Sequence, residues 1–223
     1  MINMKTFFRN KHYDREPVWH VQVAMLFAIS LQLLLPDKFV FVSRYSLITI
    51  EFLLLLAMSF TTPKQPIFKS ISRRINVFLL IILTSLANSY ALYQVASALI
   101  KTGHAASGKD LLITALNIYI TNIIIFGLWY WEIDGGGPGV RRQIPGHEKE
   151  FLFTQDQFPA YKHPDWQPTF TDYLYTSATN AMAFSPTDTM PMSRRVKILM
   201  WAQSTISIIV VLLVAARAVS VLG

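Results

Sequence analysis

Residues 169–195 read TFTDYLYTSATNAMAFSPTDTMPMSRR, and the fold turns on where this stretch is placed. It is too polar and too short to cross a bilayer. Yet one apolar run, 111–131, precedes it and another, 196–221, comes directly after it. Pro168 stops any helix running in from upstream. Thr169 has the position of an N-cap, with Asp172 three residues on in place of the usual Glu of a capping box. A helix over 169–184 is predicted, about 24 Å long, short of a hydrocarbon core of about 30 Å. Its first half is bulky (Tyr173, Leu174, Tyr175). Its second is mostly small (Ser177, Ala178, Thr179, Asn180, Ala181, Ala183), which lets backbones approach closely. Ser185-Pro186 ends it, and 185–193 form a hairpin with two prolines and one acid, Asp188. Irregular backbone at membrane depth is tolerated only when buried in protein or lining water. The stretch therefore reads as a re-entrant half-helix and hairpin. The alternative is an amphipathic helix lying flat on the membrane surface.

Composition fits a membrane setting. The 223 residues are 52% hydrophobic and only 15% charged, with a mean hydropathy of +0.37; soluble domains carry roughly 25% charged residues. Runs near spanning length occur at 18–35, 45–60, 75–100, 111–131 and 196–221. The expected fold class is all-α: a polytopic membrane protein of five transmembrane helices with the half-helix before the last. The segments are an N-terminal piece 1–17, four spans within 18–131, a polar loop 132–168, the half-helix and hairpin 169–193, and the last span within 194–223. The absence of cysteine excludes disulfides and thiol chemistry. The first seventeen residues lack the apolar run of a signal peptide, so the first span is expected to direct insertion itself.

Lys and Arg set orientation. Fifteen lie in 1–17, in the loop before the third span and in the segment between the fourth and fifth; the other two loops carry four. The expectation is a plasma (inner) membrane protein with a cytoplasmic N-terminus and long loop and the C-terminus outside. The net charge of +7 is then topological, and no nucleic-acid partner is implied. In the loop, Gly135-Gly136-Gly137-Pro138-Gly139 leads into Val140, Arg141 and Arg142 rather than the Lys-Ser/Thr of a phosphate loop, so a turn is predicted. Phe151, Phe153, Phe158, Tyr161 and Trp166 alternate with polar residues, a pattern suited to a segment at the membrane surface.

The order of span, half-helix, hairpin, Arg194-Arg195 and span resembles the two-helix pore module of potassium channels. Ser177-Ala178-Thr179 is similar to the threonine-rich end of a channel pore helix. Asp188 with Pro191 resembles the acid and proline after a channel filter. The TVGYG filter is absent, so potassium selectivity is not implied. With the loop cytoplasmic, the module is either inverted, like the pore of glutamate receptors, or alike in architecture only. The stretch also resembles a bacterial family of predicted inner-membrane proteins of unknown function, whose pattern GMxFxxSD leads to SRR. Here Ala181-Met182-Ala183-Phe184-Ser185-Pro186-Thr187-Asp188 leads to Ser193-Arg194-Arg195, departing at Ala181 and Thr187. That family implies no activity.

Thr179, Asn180, Ala181, Met182, Ala183, Phe184, Ser185 and Asp188 are candidates for a pore constriction, with Asp188 either a ring charge or a partner of Arg194 or Arg195. Gln203 and Ser207, with Val210, Val214 and Arg217, fall on one helix face. This is either a pore lining or a contact inside the bundle, with Arg217 snorkelling to the interface. Glu51 is an ionisable residue inside a span and a functional candidate on that ground; Arg44, two turns earlier on the same face, gives the alternative that Glu51 simply lies near the outer interface. Asn88, Thr114, Asn117 and Thr121 are expected to hydrogen-bond between helices. His147 and His163 lack the spacing of a metal site. No catalytic residue, metal or cofactor is assigned. The expected function is an ion-channel-like protein in the lipid bilayer, passing monovalent cations. It would be a homo-oligomer, with a tetramer favoured, because one hairpin cannot enclose a pore. A non-conducting scaffold or accessory subunit is the alternative, and a transporter coupled through Glu51 a third.

Overall fold

The computed structural model describes residues 19–40, 43–61, 70–100, 108–143, 148–158, 160, 163, 166–185 and 188–222. The N-terminal segment 1–17, most of the two loops at 62–69 and 101–107, His147, Tyr161, Pro186 and Thr187 lie outside the described residues. The protein is mostly helical. Helix α1 (Trp19–Gln32) ends in tight turns, with Leu33 N–H donating to Ser30 O and Leu34 N–H to Leu31 O, before Pro36 forbids continuation. After a short 3-10 turn over 37–39 come α2 (Arg44–Thr61), α3 (Ser70–Ile100) and α4 (Gly108–Ile133). A turn over 134–137 leads to α5 (Pro138–Gln143), strand β1 (Phe151–Phe153) and α6 (Thr154–Gln157). Helix α7 (Phe170–Ala183), strand β2 (Thr189–Pro191) and α8 (Arg194–Leu222) complete the chain.

Helices α3, α4 and α8 are long and apolar enough to cross a membrane. Large apolar side chains stand exposed along them and along α1 and α2: Phe27, Leu53, Leu86, Ile198 and Leu212 among others. In water such a surface is unfavourable, whereas lipid matches it. The chain is thus a helical membrane protein. Helix α1, at 14 residues, is about 21 Å long and shorter than a hydrocarbon core.

Helix α4 is the centre. Of its most apolar window 67% is buried, against 33% for α3 and 22% for α8. Its buried residues run round the whole cylinder, from Thr114 and Ala115 to Tyr130 and Trp131, as expected of a helix enclosed by others. Helices α1, α3, α7 and α8 pack on it, and α2 packs on α1 and α3. The third and fourth helices run antiparallel, bringing Arg73 and Arg74 of α3 to Glu132 at the end of α4, at 3.4 and 3.6 Å.

The turn after α4 is built from glycines in left-handed backbone: Gly135, Gly136 and Gly137 have φ of 55°, 77° and 94°. A Cβ on Gly135 would fall 2.7 Å from Arg141 Cβ, so only glycine fits. This is the turn predicted. Asp134 ties the turn to β1 and α7: its carboxylate accepts from Glu150 N–H at 2.7 Å, Phe151 N–H at 3.1 Å and the Tyr173 hydroxyl.

The loop after this turn differs from expectation. Phe151 and Phe153 are not at the membrane surface; they are buried. Residues 151–153 pair antiparallel with 189–191, Phe151 opposite Pro191 and Phe153 opposite Thr189, adding a small ribbon to an otherwise helical fold. With period-two alternation both phenylalanines point inward, against Tyr130, Tyr173 and Trp166 in edge contacts. Phe158 does remain exposed.

Candidate functional site

The half-helix starts as the sequence predicts. Thr169 and Asp172 form a capping box, with Thr169 N–H donating to the Asp172 carboxylate at 2.7 Å. The helix then runs back along α4. Tyr173 meets Asp134, Leu174 lies on Gly127, and the Ser177 hydroxyl donates to Ile123 O at 2.7 Å. From Ile133 to Ile123 is ten residues of α4, about 15 Å. Six residues of α7, about 9 Å, follow Ser177, so its end stands about 24 Å along α4, inside that helix's length of about 39 Å. Phe184, in left-handed backbone with φ 56°, closes α7, and β2 returns to pair antiparallel with β1 beside α7. There the Thr176 and Thr189 hydroxyls meet at 3.1 Å.

A polar cluster fills the junction of α4, α7 and α8. Gln203 is its hub. Its carbonyl accepts from the Tyr130 hydroxyl at 2.6 Å and from Asn180 Nδ2 at 2.8 Å. Its amide donates to Ser177 O at 2.9 Å and the Ser177 hydroxyl at 2.6 Å. Asn180 Nδ2 also donates to Met200 O at 3.0 Å. On the next turn, Asn122 Nδ2 donates to the Ser207 hydroxyl at 3.1 Å. Gln203, Ser207 and Ser177 are fully buried. Within the protomer the Gln203–Ser207 face meets α4 and α7, and Val210 continues it against Ala115 and Ile118. Arg217 packs on Gly108 at the start of α4.

The constriction candidates divide into two sets. Asn180 and Ala181 are buried in the protomer, and Thr179 bonds back to Tyr175 O and Thr176 O. Met182, Ala183, Phe184 and Ser185 lie on the exposed end of α7. Asp188 is half-buried and accepts from the Thr189 hydroxyl at 3.0 Å. Arg195, one of its two candidate partners, instead pairs with Glu150 at 2.7 Å.

A second polar group lies across α4, between α1, α2 and α3. Glu51 is fully buried, and its Oε2 accepts from Gln32 Nε2 at 2.6 Å. Arg44, two turns earlier on the same helix, points to the end of α1. That guanidinium caps the end of α1, donating to Leu33 O and Leu35 O, and pairs with Asp37 at 2.7 Å. Gln32 and Thr84, both beside Glu51, line a cavity of about 20 Å³ together with Asn88, Asn117, Thr121 and apolar residues that include Leu35 and Phe39. Two of the four expected interhelical bonds form: Asn88 Nδ2 donates to Ile118 O at 3.3 Å and Asn117 Nδ2 to Leu31 O. Thr114 and Thr121 instead bond within α4, to Asp110 O and Asn117 Oδ1.

Sequence reasoning misses Gln32 and Asn122 as site residues, and gives Tyr130 no role beyond the aromatic end of its span. A signal for Gln32 does exist: an amide on the last turn of an apolar run needs a partner, and Glu51 is the acid on the next helix. No family model, curated protein or solved structure matches the chain.

Proposed function

We propose that this protein passes monovalent cations along the junction of α4, α7 and α8, and that the Asn122–Asn180–Gln203 cluster is the closed point of that pathway. In this reading α1 and α2 also cross the bilayer, giving five spans. The half-helix and β2 form a re-entrant hairpin, and the lysine and arginine bias sets the N-terminus in the cytoplasm of a plasma-membrane protein. The supporting observation is the placement of three amides and two serines, buried, where a half-helix ends midway along two long apolar helices. Polar groups at such depth are costly in lipid and face a bundle interior or a water-filled path. The expected pore from four copies changes in detail: the amides lie within one protomer, and residues 182–185 and Asp188 are what remains for neighbouring copies around an axis.

The test is cation flux into liposomes holding the purified chain. Gln203→Ala removes the hub and weakens the closed arrangement by roughly 1–2 kcal/mol, so a minor open state of about 1% should rise roughly tenfold. Flux in the variant well above wild type is expected. Wild type and variant both at the level of empty liposomes would overturn conduction. That result would leave the second reading, a non-conducting scaffold plugged by its own half-helix. The saturated pairing of Gln203 favours this second reading.

A further inference from the structure

The group around Glu51 has an imbalance that the amide cluster lacks. Glu51 Oε1 and Gln32 Oε1 are both buried, and neither has a hydrogen-bond partner among the described residues. Both atoms are acceptors, on two side chains already joined by the 2.6 Å bond from Gln32 Nε2 to Glu51 Oε2. Two orphaned buried acceptors are expensive. Thr84 stands beside Glu51, but its single hydroxyl proton, which also has Leu80 O as an acceptor at 2.8 Å, can serve at most one acceptor. One added proton relieves both. Placed on Glu51 Oε1, it donates to Gln32 Oε1 and closes a ring of two parallel hydrogen bonds between a carboxylic acid and a primary amide. An acid can donate in this way only when protonated.

The charged groups on surrounding elements leave the proton as the missing partner. On the same helix, Arg44 is held by Asp37 and the end of α1. Lys38 and Asp110 pair with each other at 3.6 Å. On α3, Arg73 and Arg74 sit with Glu132, eleven or ten residues before Thr84, about 15 Å along the helix. From α1, α3 and α4 the side chains that approach the site are Gln32, Thr84, Asn88, Asn117 and Thr121, none of which titrates.

We infer that Glu51 and Gln32 form an intramembrane proton site, in which the carboxylic acid closes a two-bond ring with the amide and releases its proton into the adjoining cavity. That cavity, at about 20 Å³, exceeds the roughly 10–15 Å³ a water needs. On release, the O–H bond at Glu51 breaks and the proton passes to water as hydronium. The carboxylate left behind keeps the Gln32 N–H bond. The site lies across α4 from the amide cluster, so it stands whether or not that cluster conducts.

Infrared spectra of the full chain in lipid nanodiscs at neutral pH test this, reading the carbonyl stretch of a protonated carboxyl. Wild type should carry the band, and Glu51→Gln should lose it. Gln32→Leu should keep the band but move it to higher frequency, as the carbonyl loses its N–H donor. Glutamate labelled with ¹³C at the side-chain carboxyl should shift the wild-type band, which gives an answer without altering Glu51. The other buried glutamates, Glu132 and Glu150, face arginines, and Glu51→Gln separates any signal of theirs from that of Glu51. A wild-type spectrum with no labelled acid band, or a band untouched by Glu51→Gln, would overturn the inference. So would a band that Gln32→Leu leaves in place.

Discussion

Gln203 makes four hydrogen bonds to side-chain and backbone atoms of α4 and α7, so its removal strands several partners at once. Ser207 meets the same cluster through the Asn122 amide. Leucine at 203 takes from the buried Tyr130 hydroxyl the acceptor it meets and leaves Asn180 Nδ2 with Met200 O alone. The loss should be about 2–4 kcal/mol, since each stranded group costs about 1–3 kcal/mol in water-soluble proteins and interhelical bonds in membranes measure lower. Ser207→Ala should cost under about 1 kcal/mol, in line with a single interhelical bond. Unfolding in detergent mixtures, followed by circular dichroism, would rank the two; equal effects would mean that Gln203 is no hub. At this scale the sequence is half legible. The face carrying Gln203 and Ser207 is visible as a helical repeat of polar residues. What that face meets is not, because Ser177 and Asn180 reach it only through tertiary packing of a segment that fits two placements.

At the scale of elements, the long helices can be read from length and hydropathy alone, and the capping box from Thr169 and Asp172. The ribbon cannot. Three-residue strands carry too little alternation to distinguish from a surface segment, and Phe151 and Phe153 satisfy either pattern. Only Tyr130 and Tyr173, brought together by α4 and α7, decide between them. The close approach of those two helices rests on Gly127, where a Cβ would lie 3.2 Å from Leu174 Cα. Alanine there needs a shift of a few tenths of an ångström, whereas valine adds branches with no room. Gly127→Val should destabilise by about 1–3 kcal/mol, the usual range for overpacking, and Gly127→Ala by less. Limited proteolysis in 144–168 is the sensitive readout, because a displaced α7 pulls on Asp134 and the ribbon together. Equal protection in the two variants would mean that α7 is not held against α4.

For the whole molecule, depth is the open quantity, and the charged residues supply a ruler. Arg73, Arg74, Glu132, Glu150 and Arg195 gather at one end of the bundle, around Asp134 and Trp131. Charges of this kind belong at a membrane interface. From that level α7 descends about 15 Å along α4 to Ser177 and about 9 Å further to its end at Ala183, and Met182 and Phe184 at its tip are 65% and 47% exposed on the protein surface. If the charged end marks the interface, this exposure is to lipid or to a neighbouring copy and not to water. Single cysteines at 182 and 184, in a chain with no native cysteine, should then react slowly with a bulky membrane-impermeant maleimide in open membrane fragments. A cysteine at Lys149, exposed at the charged end, should react quickly under the same conditions. All three should label fully once the membrane is dissolved and the chain denatured. Labelling at 182 and 184 as fast as at 149 would place α7 flat on the surface, remove the re-entrant hairpin and with it the cation pathway, yet leave the Glu51–Gln32 site untouched on the far side of α4.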